Sequence, residues 1–311
     1  MNPCPLCSSS RPGRTLCKVN LVYASEFDLV ECPECGVIAF RPMPTLGQLN
    51  MFYSSAYYDF DRGREEGKGM AFASRLRRIK ETGNFLDVGC ATGFFINGLR
   101  KHCRWNVFGT DFGGPAVRFA REVLGLDVRP GDLAGAGFPD AFFDYVHVNN
   151  VLEHVLDPLS LLRECRRVIR PDGVFFLSVP NGANDSLDLI DYNRLESKPA
   201  RSKNGHIFFF PARTLISLFG QTGFRMENAK TYSLKRGLRS AGILPRKKDW
   251  KADYTPRETP EISTGGEIRI PEGQRKHSDF YYSYRFIQGN LQMLPGLHSF
   301  GLDYLFILRP V

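Results

Sequence analysis

The chain has 311 residues, of which 42% are hydrophobic and 24% are charged, with a formal net charge of +8. These proportions are those of an ordinary folded globule, and they exclude a fibrous or disordered chain. No apolar run approaches the roughly 18 residues that a membrane-spanning helix needs, and the start "MNPCPLC" lacks the features of a signal peptide. We therefore expect a cytoplasmic protein.

Residues 1–48 form a short, cysteine-bearing module. Two C-P-x-C knuckles, "CPLC" and "CPEC", are separated by 24 residues that include the β-prone stretch "LVYASEFDLVE", which is long enough for a hairpin. In a reducing compartment this spacing favours metal over disulfides, and four thiolates are typical of a closed, structural Zn²⁺ site in a zinc ribbon. Free thiols or a redox pair are the alternative. The predicted zinc ligands are Cys4, Cys7, Cys32 and Cys35.

Residues 49–83 are predicted to be an aromatic linker followed by an amphipathic helix. The aromatic run "MFYSSAYYDF" and the polar, glycine-containing run "DRGREEGKG" are typical of a linker. After them Phe72, Leu76 and Ile79 fall at i, i+4 and i+7, which is the spacing of one helix face.

From residue 84 onward, short apolar runs alternate with helical patterns, which is typical of βαβ units and a parallel sheet. We therefore predict an α/β fold with a doubly wound, mostly parallel, seven-stranded Rossmann-like sheet. Its core spans 84–232 and 300–311, and a basic substrate-binding or lid insertion at 233–299 precedes the last strand. The predicted strands are 84–89, 105–110, 126–129, 143–149, 173–179, 224–232 and 302–309, and the predicted helices include 93–102, 114–125, 157–169 and 212–221.

The stretch "FLDVGCATGFF" predicts a strand that ends in a tight glycine turn before a helix, an arrangement that lets a ligand approach the backbone. The dinucleotide fingerprint G-x-G-x-x-G fails, because its second and third glycines are absent after Gly89. Asp111 at the tip of the next strand is instead positioned to accept both hydroxyls of a ribose. Asp87 and Asp132 bring two more carboxylates to the same edge of the sheet, where open α/β folds bind ligands.

The motifs "LDVGCATG", "GTDF", "GDL", "FDYVHVNNVLEHV" and "RPDGVFFLSVPN" follow in the order and spacing of class I S-adenosylmethionine-dependent methyltransferases. The chain resembles that family over residues 84 to about 232, with Ala91 where the family usually has glycine. The resemblance implies S-adenosylmethionine as cofactor, with its methionine moiety on the glycine turn, its ribose on Asp111 and its adenine near Phe112. The cofactor-binding residues that it implies are Asp87, Gly89, Cys90, Ala91, Gly93, Asp111, Phe112, Asp132, Leu133 and Asn149.

The sulfonium of this cofactor already activates its methyl group, so the protein mainly has to align a nucleophile and remove its proton. His154 in "VLEHVLDP" follows the fourth strand and is the first candidate base; His206 in "NGHIFFFPARTL" is the second. Asn181 after the fifth strand is a candidate substrate contact. The "LEHV" motif also resembles ubiquinone-pathway O-methyltransferases, in which two Glu and one His lie near the substrate and can hold a divalent metal. Glu153 and His154 match two of those positions, but Asn150 stands at the third.

A cysteine ribbon followed by "FYSSAYY" and the core is similar to bacterial sugar- and polysaccharide-modifying methyltransferases. In those the N-terminal module helps to cover the active site, so Tyr57 and Tyr58 are candidate substrate contacts, unless they only anchor the linker. The sugar C-methyltransferases carry a large C-terminal domain after the last strand, so we expect O-methylation of a sugar nucleotide or glycan instead.

The excess positive charge is concentrated, since residues 235–278 contain eleven Lys or Arg against six Asp or Glu. This favours an anionic acceptor, although such a run is also typical of a plain solvated surface. The candidate phosphate contacts are Arg236, Arg239, Arg246, Lys247 and Lys248. Two other functions stay open: an rRNA or tRNA methyltransferase that holds RNA with the zinc ribbon and the insertion, and a non-catalytic cofactor-binding protein on the same fold.

Overall fold

The computed structural model of the chain describes residues 3–21, 26–55, 62–202, 204–232, 238–239, 241–255 and 303–311, without the side chains of 53–55. The strands are, in chain order, β1 (Arg14–Asn20), β2 (Glu26–Glu31), β3 (Ile38–Arg41), β4 (Asn84–Val88), β5 (Asn106–Asp111), β6 (Asp127–Pro130), β7 (Phe143–Asn149), β8 (Ile169–Pro180), β9 (Ala200–Arg201), β10 (Phe208–Phe209), β11 (Phe224–Tyr232) and β12 (Asp303–Pro310). The α-helices are α1 (Leu46–Ser55), α2 (Arg62–Ile79), α3 (Phe94–Arg100), α4 (Gly114–Glu122), α5 (Pro158–Val168), α6 (Gly182–Glu196) and α7 (Ala212–Gln221).

Seven strands form the larger sheet, in the order β11-β12-β8-β7-β4-β5-β6. The five strands from β8 to β6 pair in parallel, whereas β12 is antiparallel to both β8 and β11. The predicted seven-stranded, mostly parallel α/β sheet is therefore confirmed. The strand order reverses at β4, which lies between β5 and β7, and ligands of open α/β sheets bind at such a reversal, outside the carboxyl ends of the strands.

The central strands are buried almost continuously, as expected when helices cover both faces of a parallel sheet. Helix α5 begins at a strong local signal, because the side chain of Asp157 accepts the N–H of Ser160 at 2.9 Å and Pro158 takes the first helical position. This fixed start holds the turn between β7 and α5 at the carboxyl edge of the sheet.

The polar run at 62–69, which we expected to be linker, is the first half of α2. Its glycines allow close helix packing: a Cβ at Gly69 would lie 2.0 Å from the carbonyl oxygen of Phe95, and one at Gly98 would lie 2.1 Å from that of Glu66. The composition indicated a linker because glycine is frequent in linkers. These glycines are instead required by the close packing of α2 on helix α3, which the composition alone does not show.

The cysteine-bearing module shares its sheet with a distant segment of the chain. Strands β1, β2 and β3 pair antiparallel in sequence, so the two strands of the hairpin expected between the knuckles are paired. The two-residue strand β9 then joins β1, and the two-residue strand β10 joins β3, in the order β10-β3-β2-β1-β9. Residues from the core therefore cover both edges of the N-terminal sheet.

The described start of the insertion packs against α6. Arg246 pairs with Asp188 at 3.4 Å and with Asp191, and its guanidinium group lies 4.4 Å from the centre of the Trp250 ring. The charge of Arg246 is therefore neutralised by ion pairs within the protein. This opposes the phosphate contact that we expected, because the two aspartates already compensate the guanidinium.

Several residues with expected roles lie outside the described residues, namely Tyr57, Tyr58, Arg236 and the insertion residues 256–299. Lys247 and Lys248 are described and exposed, and Arg239 is half-buried. Within the described part of the chain, none of the helices combines the length and the apolar character needed to cross a bilayer.

Candidate cofactor and acceptor site

The turn after β4 has a backbone conformation that its small residues permit. Gly89 and Gly93 adopt φ values of +72° and +74°, and Ala91 between them adopts +49°, in the left-handed region that costs an ordinary residue roughly 1–2 kcal/mol. A Cβ at Gly89 would lie 2.4 Å from Cγ2 of Val151, so there is no room for a side chain. The N–H of Gly89 donates to the carbonyl oxygen of Thr110 at 2.8 Å, which ties the turn to β5.

Asp111 at the end of β5 faces this turn. Its Oδ2 accepts the N–H of Ala91 at 2.8 Å, and its Oδ1 accepts the N–H of Gly113 at 2.7 Å. Burial raises the pKa of Asp111, and the two backbone N–H groups oppose that rise. Each carboxylate oxygen retains a lone pair, so Asp111 is held in one orientation and can still accept from hydroxyl groups, as a ribose contact requires.

The other predicted cofactor residues at this edge have different surroundings. Phe112 is 63% exposed directly after β5, which leaves its ring face accessible for stacking, whereas Leu133 is buried. Asp132 accepts the N–H of Gly135 at 2.7 Å, so it caps a turn whether or not it also contacts adenine. Asn149 is exposed at the end of β7.

Asp87 is buried and paired with a residue to which the sequence analysis assigned no role. Its Oδ1 lies 2.6 Å from Nδ1 of His147, which is its register partner on β7. The His147 ring is stacked between Phe95 and Phe176, with centroid distances of 4.8 and 4.6 Å. Register between the predicted parallel strands was the one signal for this pair. Cys90 is also buried here, and burial raises the pKa of its thiol.

The buried side chains of Glu153 and His206 and the partly buried side chain of His154 converge beside the turn that follows β7, and we call these three residues the Glu–His–His centre. Nε2 of His154 and Nε2 of His206 lie 3.6 and 3.8 Å from Oε1 of Glu153. On the far side of the rings, Nδ1 of His206 lies 2.7 Å from Oδ2 of Asp185, and Nδ1 of His154 lies 3.2 Å from the carbonyl oxygen of Gly205. The structure thus brings together both candidate bases and Glu153, which the "LEHV" resemblance already indicated, and adds Asp185.

Burial dominates the electrostatics of the Glu–His–His centre. It raises the pKa of Glu153 to about 7 and lowers the pKa of His154 to about 3. Burial also opposes a charge on His206, but the carboxylates of Asp185, Glu153 and Asp303 together outweigh it and raise the pKa of His206. His154 is therefore a neutral imidazole at neutral pH, whereas His206 is the imidazole whose protonated form is stabilised.

A small cavity lies beside His206. Its lining residues are mostly polar: Asp185, Leu189, Ser202, Asn204, His206, Phe209 and Tyr254. The hydroxyl group of Tyr254 lies 3.1 Å from Oδ2 of Asp188, so the insertion contributes one wall. Asn181, the predicted substrate contact, is buried directly before α6 and does not line this cavity.

Two close contacts join the Glu–His–His centre to its surroundings. Val151, which lies against Gly89, accepts the N–H of His154 through its carbonyl oxygen at 3.0 Å. Gly205 has a φ of +74°, and a Cβ there would lie 2.5 Å from the ring of Phe52 in α1. The centre therefore lies between the glycine turn and the first helix after the cysteine module.

The four predicted zinc ligands come together at one end of the five-stranded sheet. The sulfurs of Cys4 and Cys35 are 3.7 Å apart, those of Cys7 and Cys32 are 3.6 Å apart, and all four lie within 4.8 Å of one another. Four sulfurs at about 2.3 Å from a tetrahedral zinc ion are about 3.8 Å apart, so the donor set fits zinc.

The two knuckles have the same backbone turn. Ser8 and Gly36, each directly after the second cysteine of its knuckle, have positive φ and donate their N–H to the carbonyl oxygen of the first cysteine at 2.9 Å. The second knuckle also touches the core, because the hydroxyl of Thr214 on α7 donates to the carbonyl oxygen of Cys35 at 2.6 Å. A metal bound here would therefore stabilise the junction between the two sheets.

The strand order, the glycine turn and the carboxylate at the tip of β5 define a nucleoside-cofactor site of the Rossmann-like α/β class. The family model described as "Methyltransferase domain" matches residues 61–229, which is more than half of the chain. The chain belongs to this family of methyltransferase domains.

Individual relatives cover smaller parts of the chain. It is 37% identical over 97 residues to a "Probable S-adenosylmethionine-dependent methyltransferase" of Mycolicibacterium smegmatis, which is 31% of this chain and 37% of that protein. It is 32% identical over 158 residues to the ubiquinone biosynthesis O-methyltransferase of Neisseria meningitidis, covering 47% of this chain and 65% of that protein. The chain thus spans between about a third and two thirds of these curated relatives. A solved SAM-dependent methyltransferase from Archaeoglobus fulgidus is similar with a TM-score of 0.44 and 18% identity, over 78% of this chain and 94% of that one.

Proposed function

We propose that the protein transfers a methyl group from S-adenosylmethionine to a hydroxyl group of a small molecule, such as a sugar nucleotide or a glycan. Membership of the methyltransferase-domain family supports the donor. The observation that carries the proposal is the packing of Val151 on Gly89, because it brings His154 next to the turn where we expect the donor's methionine moiety.

In this proposal the sulfonium supplies an activated methyl group, and the chain has to hold an acceptor oxygen in line and receive its proton. His154 and His206 are the candidate proton acceptors. The contacts of their Nδ1 atoms to Gly205 and Asp185 hold each ring in one orientation, with Nε2 directed toward Glu153. An acceptor oxygen near Glu153 would therefore meet both imidazoles.

The cavity beside His206 favours a compact acceptor that is rich in hydroxyl groups. Ser202, Asn204 and Tyr254 offer hydroxyl and amide groups at its wall. The exposed Lys247 and Lys248 remain candidate contacts for an anionic part of the acceptor. The name of the O-methyltransferase relative supports oxygen as the acceptor atom.

We also propose that Cys4, Cys7, Cys32 and Cys35 bind one structural Zn²⁺. The sulfur spacing and the matching knuckle turns support this. Four thiolates close the coordination shell, so the ion would hold the fold of the module and take no part in methyl transfer.

A methyl-transfer assay with isotopically labelled S-adenosylmethionine and a panel of sugar nucleotides tests the proposal. His154→Ala and His206→Ala are expected to lower turnover by roughly 10²–10⁴-fold, as the loss of general base catalysis does, while the affinity for S-adenosylmethionine in calorimetry stays unchanged. A chain that does not bind S-adenosylmethionine refutes the donor. Methylation of bulk RNA that weakens steeply with salt would replace the sugar acceptor by RNA.

A further inference from the structure

We infer that Glu153, His154 and His206 are the ligands of a second metal site, which takes a divalent transition-metal cation. The role of this cation in acceptor binding rests on the proposed function, whereas its binding does not. The cation would sit at the point that the two Nε2 atoms and the Glu153 carboxylate share. When bound, it would hold the acceptor hydroxyl and lower its pKa, so that the proton passes to solvent water; the two histidines would then act as ligands in place of the general-base role.

Glu153 is the first observation. Its side chain is 1% exposed, and neither carboxylate oxygen has a hydrogen-bond partner within the described part of the chain. A buried carboxylate without donors is costly, and proteins compensate such groups with a paired charge or a metal ion. Oε1 is directed to the side where both imidazoles lie.

The orientation of the two imidazoles is the second observation. Nδ1 of His206 faces a carboxylate oxygen of Asp185, and Nδ1 of His154 faces the carbonyl oxygen of Gly205. Because both partners can only accept, Nδ1 carries the hydrogen in each ring, and Nε2 presents its lone pair toward Glu153. Metal-binding histidines are held in this way, with the distal nitrogen donating to a carboxylate or carbonyl oxygen.

The distances match a metal centre that closes slightly around its ion. The two Nε2 atoms lie 3.6 and 3.8 Å from Oε1 of Glu153, and the three ligand atoms lie within 4.8 Å of one another. Ligands at about 2.1 Å from one ion are roughly 3.0–3.5 Å apart at angles of 90–110°. For the two His–Glu pairs, shifts of a few tenths of an ångström would complete the geometry.

The surrounding charge and the donor types indicate which ion fits. Asp185 and Asp303 both act on Glu153 as neighbouring negative charges, so the field at the centre attracts a cation. Two imidazole nitrogens with one carboxylate suit Mn²⁺, Fe²⁺, Co²⁺ or Zn²⁺, whereas Mg²⁺ and Ca²⁺ prefer oxygen ligands alone.

This ligand set differs from the one that the "LEHV" resemblance implies. Asn150, at the position of the first Glu in that motif, is exposed, has a φ of +55° and is not a member of the cluster. The third ligand is His206, which the chain supplies between β9 and β10. The site therefore depends on the segment that completes the five-stranded sheet.

Binding of Mn²⁺ to the purified, zinc-loaded full chain tests the inference, with free Mn²⁺ followed by electron paramagnetic resonance. Mn²⁺ is the probe because it binds nitrogen and oxygen donors and does not compete for a four-thiolate site. We expect one equivalent to bind to the wild type. Asp185→Asn should weaken binding roughly 10–100-fold, as the loss of such a supporting carboxylate does, and Glu153→Gln should weaken it at least as much. Glu227→Gln, which removes an exposed carboxylate paired with Arg309, is the matched control and should bind as the wild type does.

Affinity for S-adenosylmethionine, measured on the same samples, verifies that each variant is folded. The inference is overturned if the wild type binds no Mn²⁺ at millimolar concentration, or if Glu153→Gln binds it as tightly as Glu227→Gln. Methyl transfer that persists undiminished without bound metal would leave the proposed function intact and remove the role of the cation in acceptor binding. Mn²⁺ binding without methylation of any hydroxyl acceptor would refute the proposed function and leave the metal site.

Discussion

The two sheets of the molecule are assembled over very different sequence distances. In the seven-stranded sheet, β4 and β5 are joined through α3, β5 and β6 through α4, and β7 and β8 through α5. In the five-stranded sheet, Val19 pairs with Ala200 and Ala39 pairs with Phe208. Apart from β12, which pairs with the distant β8, local connections stabilise the first sheet as it forms. The edges of the second sheet must close long loops, at an entropic cost that some further interaction has to offset.

The cysteine cluster is suited to offset that cost. The cluster brings Cys4 and Cys7 next to the turn between β2 and β3, which carries Cys32 and Cys35. The second knuckle also contacts α7 of the core. A metal ion bound there, as we propose, would fix four points of a small sheet whose edge strands are only two residues long. The comparison therefore predicts that the two sheets respond differently to the same perturbation.

The largest expected effect comes from Cys32→Ser. Structural zinc contributes about 10–16 kcal/mol to the folding of isolated zinc-finger peptides, so losing one thiolate should release the metal and loosen the five-stranded sheet. Zinc content by mass spectrometry should fall by one equivalent, and hydrogen exchange should accelerate in β1, β2 and β3 while β4 and β7 stay protected. Cys103→Ser, a half-buried cysteine outside the cluster, is the control. Equal acceleration in both sheets would contradict the comparison.

Gly89→Ala tests how tightly the glycine turn is packed within the seven-stranded sheet. The new Cβ would meet Val151 at 2.4 Å and would have to adopt a φ of +72°. We expect a loss of about 2–5 kcal/mol in the free energy of unfolding, from left-handed strain of roughly 1–2 kcal/mol and overpacking of roughly 1–3 kcal/mol.

Gly125→Ala is the matched control for that substitution. Gly125 also has positive φ, but a Cβ there would have nothing within 4 Å. It should lose only the strain contribution of roughly 1–2 kcal/mol. Denaturant titrations of both variants separate packing from strain, and equal losses would show that the contact with Val151 carries no energy.

Asp111→Asn tests the carboxylate at the tip of β5. The substitution places an amide where both oxygens now accept backbone N–H groups, from Ala91 and Gly113. A hydrogen bond to a charged group is worth roughly 1.5–3 kcal/mol, so we expect the affinity for S-adenosylmethionine to fall about 10–100-fold in calorimetry. Asp172→Asn removes the same charge from an exposed position and should bind the cofactor normally. An unchanged affinity in Asp111→Asn would remove the predicted ribose contact.

The sequence predicted those parts of the molecule whose signals are local. The bounds of β7, β11 and α7 agree with the prediction residue for residue. For β7 and α7 the reason is that apolar runs and helical periodicity report burial directly, whereas β11 is mostly exposed or half-buried. The cysteine spacing likewise predicted the cluster, since each knuckle is a short turn that presents two thiols.

The parts that the sequence did not predict depend on distant partners. Helix α6 lacks a single apolar stripe, because its first turn is enclosed on several sides; a Cβ at Gly182 would lie 2.1 Å from the backbone nitrogen of Phe210. The strands β9 and β10 are too short to have a periodicity. For the same reason the candidates His154 and His206 were identified separately, and their meeting at Glu153 was not.

Tyr254→Phe should have the smallest effect of these substitutions, and it tests the region where the two sheets meet. The backbone carbonyl of Tyr254 accepts the N–H of Arg201 at the edge of the five-stranded sheet, while its hydroxyl reaches Asp188 on α6 beside the acceptor cavity. Removing only the hydroxyl leaves the backbone contact intact and loses one hydrogen bond of about 1 kcal/mol. We expect the KM for the acceptor to rise about fivefold, with cofactor affinity and thermal stability nearly unchanged. A change in kcat at constant KM would instead indicate that this residue acts on the Glu–His–His centre and does not only form the cavity wall.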